Sequence, residues 1–161
     1  MRTAIVFFSL DGNTRLAAVG LAERLGADVF EIRTVKPYPA KGPLKILVGG
    51  KEATFNACPA IEPLDMDVSA YDQVVLGTPV WADKVAAPIN TFLKERDLGG
   101  KRLALLISSA GGDATKCAQD AATKLGRATE ELPLLSLRNP LKMDATDLAA
   151  QLDAFATHLD G

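Results

Sequence analysis

Histidine is almost absent from this chain: His158 is the only one in 161 residues. Cysteine is scarce too. Cys58 and Cys117 lie far apart, with no C-x-x-C pair and no histidine near either in sequence. No metal site is expected from such spacings, and the two residues read as reduced thiols of a cytoplasmic protein. Long apolar runs are missing as well; none reaches the roughly 18 residues that a membrane-spanning helix needs. Arg2 precedes only the short run Thr3–Phe8, too brief for a signal peptide. Neither sign of charge dominates: 18 Lys and Arg stand against 20 Asp and Glu, a net charge of −2. The pI is near 5.4, and without a basic stripe nucleic-acid binding is not expected. No repeat, linker or low-complexity tract divides the chain, so residues 1–161 are expected to form one domain.

What is present is an alternation. Five apolar runs, Thr3–Phe8, Val29–Arg33, Gln73–Gly77, Leu103–Ser108 and Leu132–Leu137, are separated by helical patterns. Most are nearly continuous in Ala, Ile, Leu, Val and Phe, as befits parallel strands covered on both faces. A helix is predicted from about Thr14 to Leu25, with Ala17, Leu21 and Leu25 on one stripe and Gly26 as its stop. Another starts near Pro88 and aligns Ile89, Phe92 and Leu93. A third runs from about Ala114 to Leu125. The last has Asp144 or Thr146 as N-cap and a stripe of Leu148, Leu152, Phe155 and Leu159. This order predicts an α/β fold: a doubly wound parallel sheet of five strands, order 2-1-3-4-5, between two helical layers. The irregular part is Lys36–Pro63, where Leu44, Leu47 and Val48 suggest a short helix, extended towards Phe55. Its Gly49-Gly50-Lys51 is not a Walker loop, since Lys45 and Glu52 occupy positions that need Gly and Ser or Thr. Lys36, Lys41, Lys45 and Lys51 read as a solvated face, with a docking patch as the other reading.

In such a sheet, ligands bind beyond the carboxyl ends of the strands where strand order reverses. Three loops meet there: Ser9–Thr14, Thr78–Asp83 and Ser109–Asp113. The first runs into a helix start, where free amides and the helix dipole favour an anion. Ser9 and Thr14 add hydroxyls, Asn13 an amide, and Gly12 allows close backbone approach, so a phosphate could be held without any lysine. A plain N-capped turn would look the same in isolation. The second loop carries Trp81, the only Trp, after a Pro at a strand end, where its ring could stack on a flat ligand or fill core. The third, S-S-A-G-G-D, is small enough to let a ring lie against backbone amides. Together they ask for a ligand with a phosphate at one end and an aromatic ring at the other.

These three loops, in order and spacing along essentially the whole chain, resemble the flavodoxin family. The resemblance implies a flavodoxin-like fold and FMN as cofactor. Ser9, Leu10, Asp11, Gly12, Asn13 and Thr14 would hold the phosphate. Thr78, Pro79, Val80, Trp81 and Ala82 would carry one side of the ring, and Ser109, Ala110, Gly111 and Gly112 the other. No catalytic side chain is implied. Two positions depart from the family: Asp11 stands where Thr is usual, and Ala82 where Gly is frequent and the backbone turns over as the ring is reduced. The third loop has no aromatic, and electron-carrier flavodoxins are more acidic than this chain. Two roles therefore stay open. One is an electron carrier with a redox partner protein; the other is an FMN-dependent NAD(P)H:quinone-type reductase with a small acceptor. Either could be a monomer or homodimer. A cofactor-free receiver-like signalling domain is the remote alternative, because the third strand ends Gly77-Thr78-Pro79 rather than in an aspartate. His158 is expected at the surface, far from the crevice.

Overall fold

The computed structural model describes residues 1–39 and 42–161. Its core is a sheet in which β1 (Thr3–Phe7), β2 (Asp28–Glu31), β3 (Gln73–Trp81), β5 (Arg102–Ser109) and β6 (Leu134–Arg138) run parallel. The order is β2-β1-β3-β5-β6, which is the predicted doubly wound arrangement. A sixth strand, β4 (Lys84–Val85), pairs antiparallel with the end of β3. Residues Thr78–Trp81, expected as loop, continue β3. Ala82 and Asp83 close the hairpin with φ of 48° and 64°, the double positive φ of a type I′ turn. No Asn-Gly or Gly-Gly announces that turn, and β4 is too short for a period of two to show.

The continuous apolar runs are explained by burial on both faces. All five residues of β1 are buried. Ile5, Phe7, Val75 and Leu106 face α1 (Asn13–Leu25) and α5 (Ala145–Asp160). Ala4, Val6, Leu76, Leu105 and Ile107 face α3 (Ala87–Glu95) and α4 (Thr115–Leu125). Each fully buried Leu, Ile or Phe contributes about 1.5–3 kcal/mol of transfer free energy. Asp144, not Thr146, caps α5: its carboxylate accepts from the backbone N–H groups of Thr146 and Asp147 at 2.9 and 3.2 Å. Gly77 sits directly beside Phe7, where a Cβ would come within 2.6 Å of the Phe7 Cβ. Only glycine lets β3 pass Phe7 of β1 that closely.

The Lys36–Pro63 segment holds the helix expected there, in its extended form, as α2 (Pro43–Thr54). Its buried residues are Gly49 and Ala53, while Ile46, Leu47 and Phe55 are 76%, 66% and 75% exposed. After α2 the chain is pinned to α3. Asn90 Nδ2 donates to the Ala57 carbonyl at 3.0 Å, and Thr91 Oγ1 to that of Pro59 at 2.7 Å. A bridge between Thr34 and Ile61 then closes the segment at its base. Among the described residues, no helix is long and apolar enough to cross a membrane.

Candidate functional site

The loop between β1 and α1 is built around oxygen atoms. Ser9 Oγ accepts from the backbone N–H groups of Gly12 and Arg15, at 3.1 and 3.2 Å. Asp11 Oδ1 accepts from the N–H of Asn13 at 3.1 Å. Three amides at a helix start, free of intrahelical partners, thus converge on two side-chain oxygens that stand in for an anion's. Gly12 takes φ 98° at the turn. Thr14 is buried, and its hydroxyl lies 2.8 Å from Ser108 Oγ at the end of β5, which locks α1 to the sheet. Asn13 Oδ1 accepts from Leu141 N at 2.9 Å and ties the loop to the turn before α5. The loop's own cation, Arg15, is turned away: its guanidinium donates to Glu31, which raises the Arg15 pKa.

The β3–β4 hairpin makes the second wall. Trp81 is half-buried and meets Phe8 and Tyr38 edge to face, with centroids 5.4 and 5.1 Å away. Burial, then the hydrogen bond to Glu52, pushes the Tyr38 hydroxyl well above its ordinary pKa, so it stays protonated as a donor. Thr78 is buried beneath the hairpin, its Oγ1 accepting from Ala86 N at 3.0 Å. It supports the wall rather than lining it. The third loop is also held from outside. Gly112 N donates to Ser109 Oγ at 2.8 Å, and Arg138 Nε and Asn139 Nδ2 both donate to the Ala110 carbonyl at 3.2 Å. Asp113, just before α4, accepts from the Thr115 N–H at 2.9 Å, and that bond holds its carboxyl below the usual range. Lys116 to Asp83, 3.0 Å, bridges the first turn of α4 to the hairpin turn.

Between these walls lies a cavity of about 420 Å³, within the usual range for small-ligand sites. Leu10, Asp11 and Asn13 line one end, Pro79, Val80, Trp81 and Ala82 another, and Ser109 and Ala110 a third. Ser9, Gly12, Thr14, Thr78, Gly111 and Gly112 do not line it; the first four lie behind its walls as described, and the two glycines are exposed in their loop. The helix expected in the Lys-rich segment was not expected at the site, yet Gly42, at the start of α2, and Lys45, Ile46, Gly49 and Gly50 within it form the remaining wall; Ser108 was likewise not foreseen there. A Cβ on Gly49 would sit 3.2–3.3 Å from three atoms of the Trp81 ring, so the helix backbone rests on that ring. Of the Lys-rich set, Lys36 and Lys51 are exposed and Lys41 lies outside the described residues, but Lys45 faces inward with its Nζ 3.9 Å from Asp11 Oδ2. Among the described residues, Asp11 and Lys45 are the only charged ones that line the cavity. Neither cysteine lines it: Cys58 is exposed, and burial raises the Cys117 thiol to about 12. His158 is exposed on α5.

A family profile described as Flavodoxin matches residues 2–131. Among solved structures, a candidate flavoprotein from Bacteroides eggerthii DSM 20697 is 25% identical with a TM-score of 0.72, over 96% of this chain and 98% of that one. A flavoprotein in complex with FMN from Lactobacillus acidophilus NCFM is 21% identical, TM-score 0.70, over 88% and 95%. A flavodoxin from Streptococcus pneumoniae TIGR4 is 16% identical, TM-score 0.59, over 99% and 98%. The last two likenesses concern the fold. Comparison with curated proteins finds no match.

Proposed function

The chain belongs to the flavodoxin family, and on that premise we propose that it binds FMN in the cavity and transfers electrons through it. One observation carries the reading: the amides of Gly12, Asn13 and Arg15, gathered around side-chain oxygens, belong to the turn whose Leu10, Asp11 and Asn13 line one end of a cavity that Trp81 also lines. The donor set fits a phosphate, and the size of the cavity, with apolar surface from Leu10, Pro79, Val80 and Trp81, suits a flat ring. FMN supplies one- or two-electron chemistry at its ring, and the protein supplies position and polarity.

The roles follow from the contacts. Backbone amides of the Ser9–Thr14 loop offer donors to phosphate oxygens, with the Ser9 hydroxyl beside them. Thr14 and Asn13 act as positioning residues, one through Ser108 and the other through the Leu141 N–H. Trp81 offers an apolar face braced by Phe8 and Tyr38, so its orientation is fixed before a ligand arrives. Ser109 and Ala110 supply the third wall, kept in shape by Gly112, Arg138 and Asn139. The net charge of −2 favours a small diffusible acceptor, such as a quinone, over long-range steering to a protein partner.

The test is direct. Purified protein should show a flavin absorbance spectrum, or quench the fluorescence of added FMN at micromolar concentration. A colourless protein that leaves FMN fluorescence unchanged removes the proposal. Steady-state oxidation of NADPH with a quinone then separates the enzyme from the carrier.

A further inference from the structure

The phosphate loop has a charge problem. A phosphate entering it meets the carboxylate of Asp11, and the loop's own cation is committed to Glu31. Among the described residues that line the cavity, the one cation is Lys45, and it comes from α2 rather than from the loop. Its side chain is 25% exposed, against 50% for Asp11, and their charged atoms stand 3.9 Å apart. That separation is an ion-pair distance beyond hydrogen-bond reach, so the pair with Asp11 uses none of the ammonium's donors. Gly49, one turn further along α2, rests on Trp81, and Glu52 accepts from Tyr38. These contacts fix the helix with the Lys45 position turned to the cavity.

We propose that Lys45 is a ligand-binding residue: its ammonium pairs with the phosphate of bound flavin, offsetting Asp11 and making α2 the element that selects FMN over unphosphorylated riboflavin. This rests on the FMN reading above. The rival explanation is an incidental pair at the rim, which would contribute little. A second rival is indirect: Lys45 could act only by holding Asp11, and through it the Asn13 amide, in place.

The experiment measures dissociation constants for FMN and riboflavin by fluorescence quenching on wild type, Lys45→Gln, Lys45→Arg and Asp11→Asn. Charge-assisted hydrogen bonds to phosphate predict that Lys45→Gln weakens FMN roughly ten- to a hundredfold. Riboflavin, which lacks the phosphate, should change less than about twofold, because no charged group on it meets Lys45. Lys45→Arg should keep most of the preference, and Asp11→Asn should tighten FMN by removing a like charge. Raised salt should weaken FMN binding to wild type more than to Lys45→Gln. The proposal is overturned if Lys45→Gln leaves the FMN-to-riboflavin ratio at its wild-type value. It is equally overturned if Asp11→Asn lowers that ratio as much as Lys45→Gln does, since the lysine then acts through the loop. Wild-type protein without any preference for FMN over riboflavin would instead sink the phosphate reading itself.

Discussion

α5 and α2 both carry several large apolar residues, yet they treat them in opposite ways. α5 buries Leu148, Leu152, Phe155 and Leu159 against α1 and the sheet. α2 leaves Leu44, Ile46, Leu47 and Phe55, just past its end, largely in solvent and turns Gly49 and Ala53 inward. The α5 stripe follows the helical period because hydrophobic burial is what holds that helix down. On α2 the inward row is Lys45, Gly49 and Ala53, of which Gly49 lets the backbone approach Trp81. One helix is placed by its apolar content, the other by the cavity it borders.

The sharpest way to break this comparison is to truncate one leucine on each helix. Leu152 is 3% exposed, so Leu152→Ala should cost about 2–5 kcal/mol in urea unfolding. Leu47→Ala, at a position 66% exposed, should stay within about 0.5 kcal/mol. Comparable losses would mean that Leu47 is covered in solution and that the two helices are not different in kind.

This contrast also marks where the sequence is legible. β1, β3 and β5 could be read because burial on both faces writes an unbroken apolar run, and α1 and α5 because their stops and caps, Gly26 and Asp144, have local chemistry. The places of the three segments that border the cavity were legible from topology, since strand order fixes where the crevice must open, although the second proved to be strand and hairpin turn. Lys45 was not. A lysine in a Lys-rich stretch carries no sign that it will face Asp11, because that meeting is made by the packing of α2 on Trp81. The β4 hairpin was hidden for a different reason. Ala82 and Asp83 both adopt positive φ, which for non-glycine residues costs about 1–2 kcal/mol each, so no propensity would place a turn there.

Trp81 joins the two halves of the comparison, being both the seat of α2 and a wall of the cavity. Trp81→Ala should weaken FMN by several-fold, since an aromatic pair contributes about 1 kcal/mol. Hydrogen exchange in α2 should quicken as its support is lost, while α5 amides keep their protection. Unchanged FMN affinity would mean that Trp81 serves the core alone.

The finest distinction lies between two adjacent glycines. Gly49 and Gly50 both stand inside α2, where glycine is less favourable than alanine by about 0.8–1.0 kcal/mol. A Cβ on Gly50 would meet nothing within 4 Å. Gly50→Ala should therefore stabilise the helix by about 0.5–1 kcal/mol, read as slower hydrogen exchange across α2, because a weakly held helix opens without global unfolding. A Cβ on Gly49 would come 3.2 Å from Trp81 Cε3 and 3.3 Å from Cδ2 and Cζ3. The indole cannot retreat freely, since Phe8 and Tyr38 hold it edge to face. Crowding against the ring should offset the propensity gain, leaving Gly49→Ala near zero or slightly destabilising. The two variants share backbone, propensity and helix, so the difference between them isolates the contact with Trp81. If Gly49→Ala slows exchange as much as Gly50→Ala does, α2 does not rest on the indole. The placement of Lys45 beside Asp11 would then need another cause.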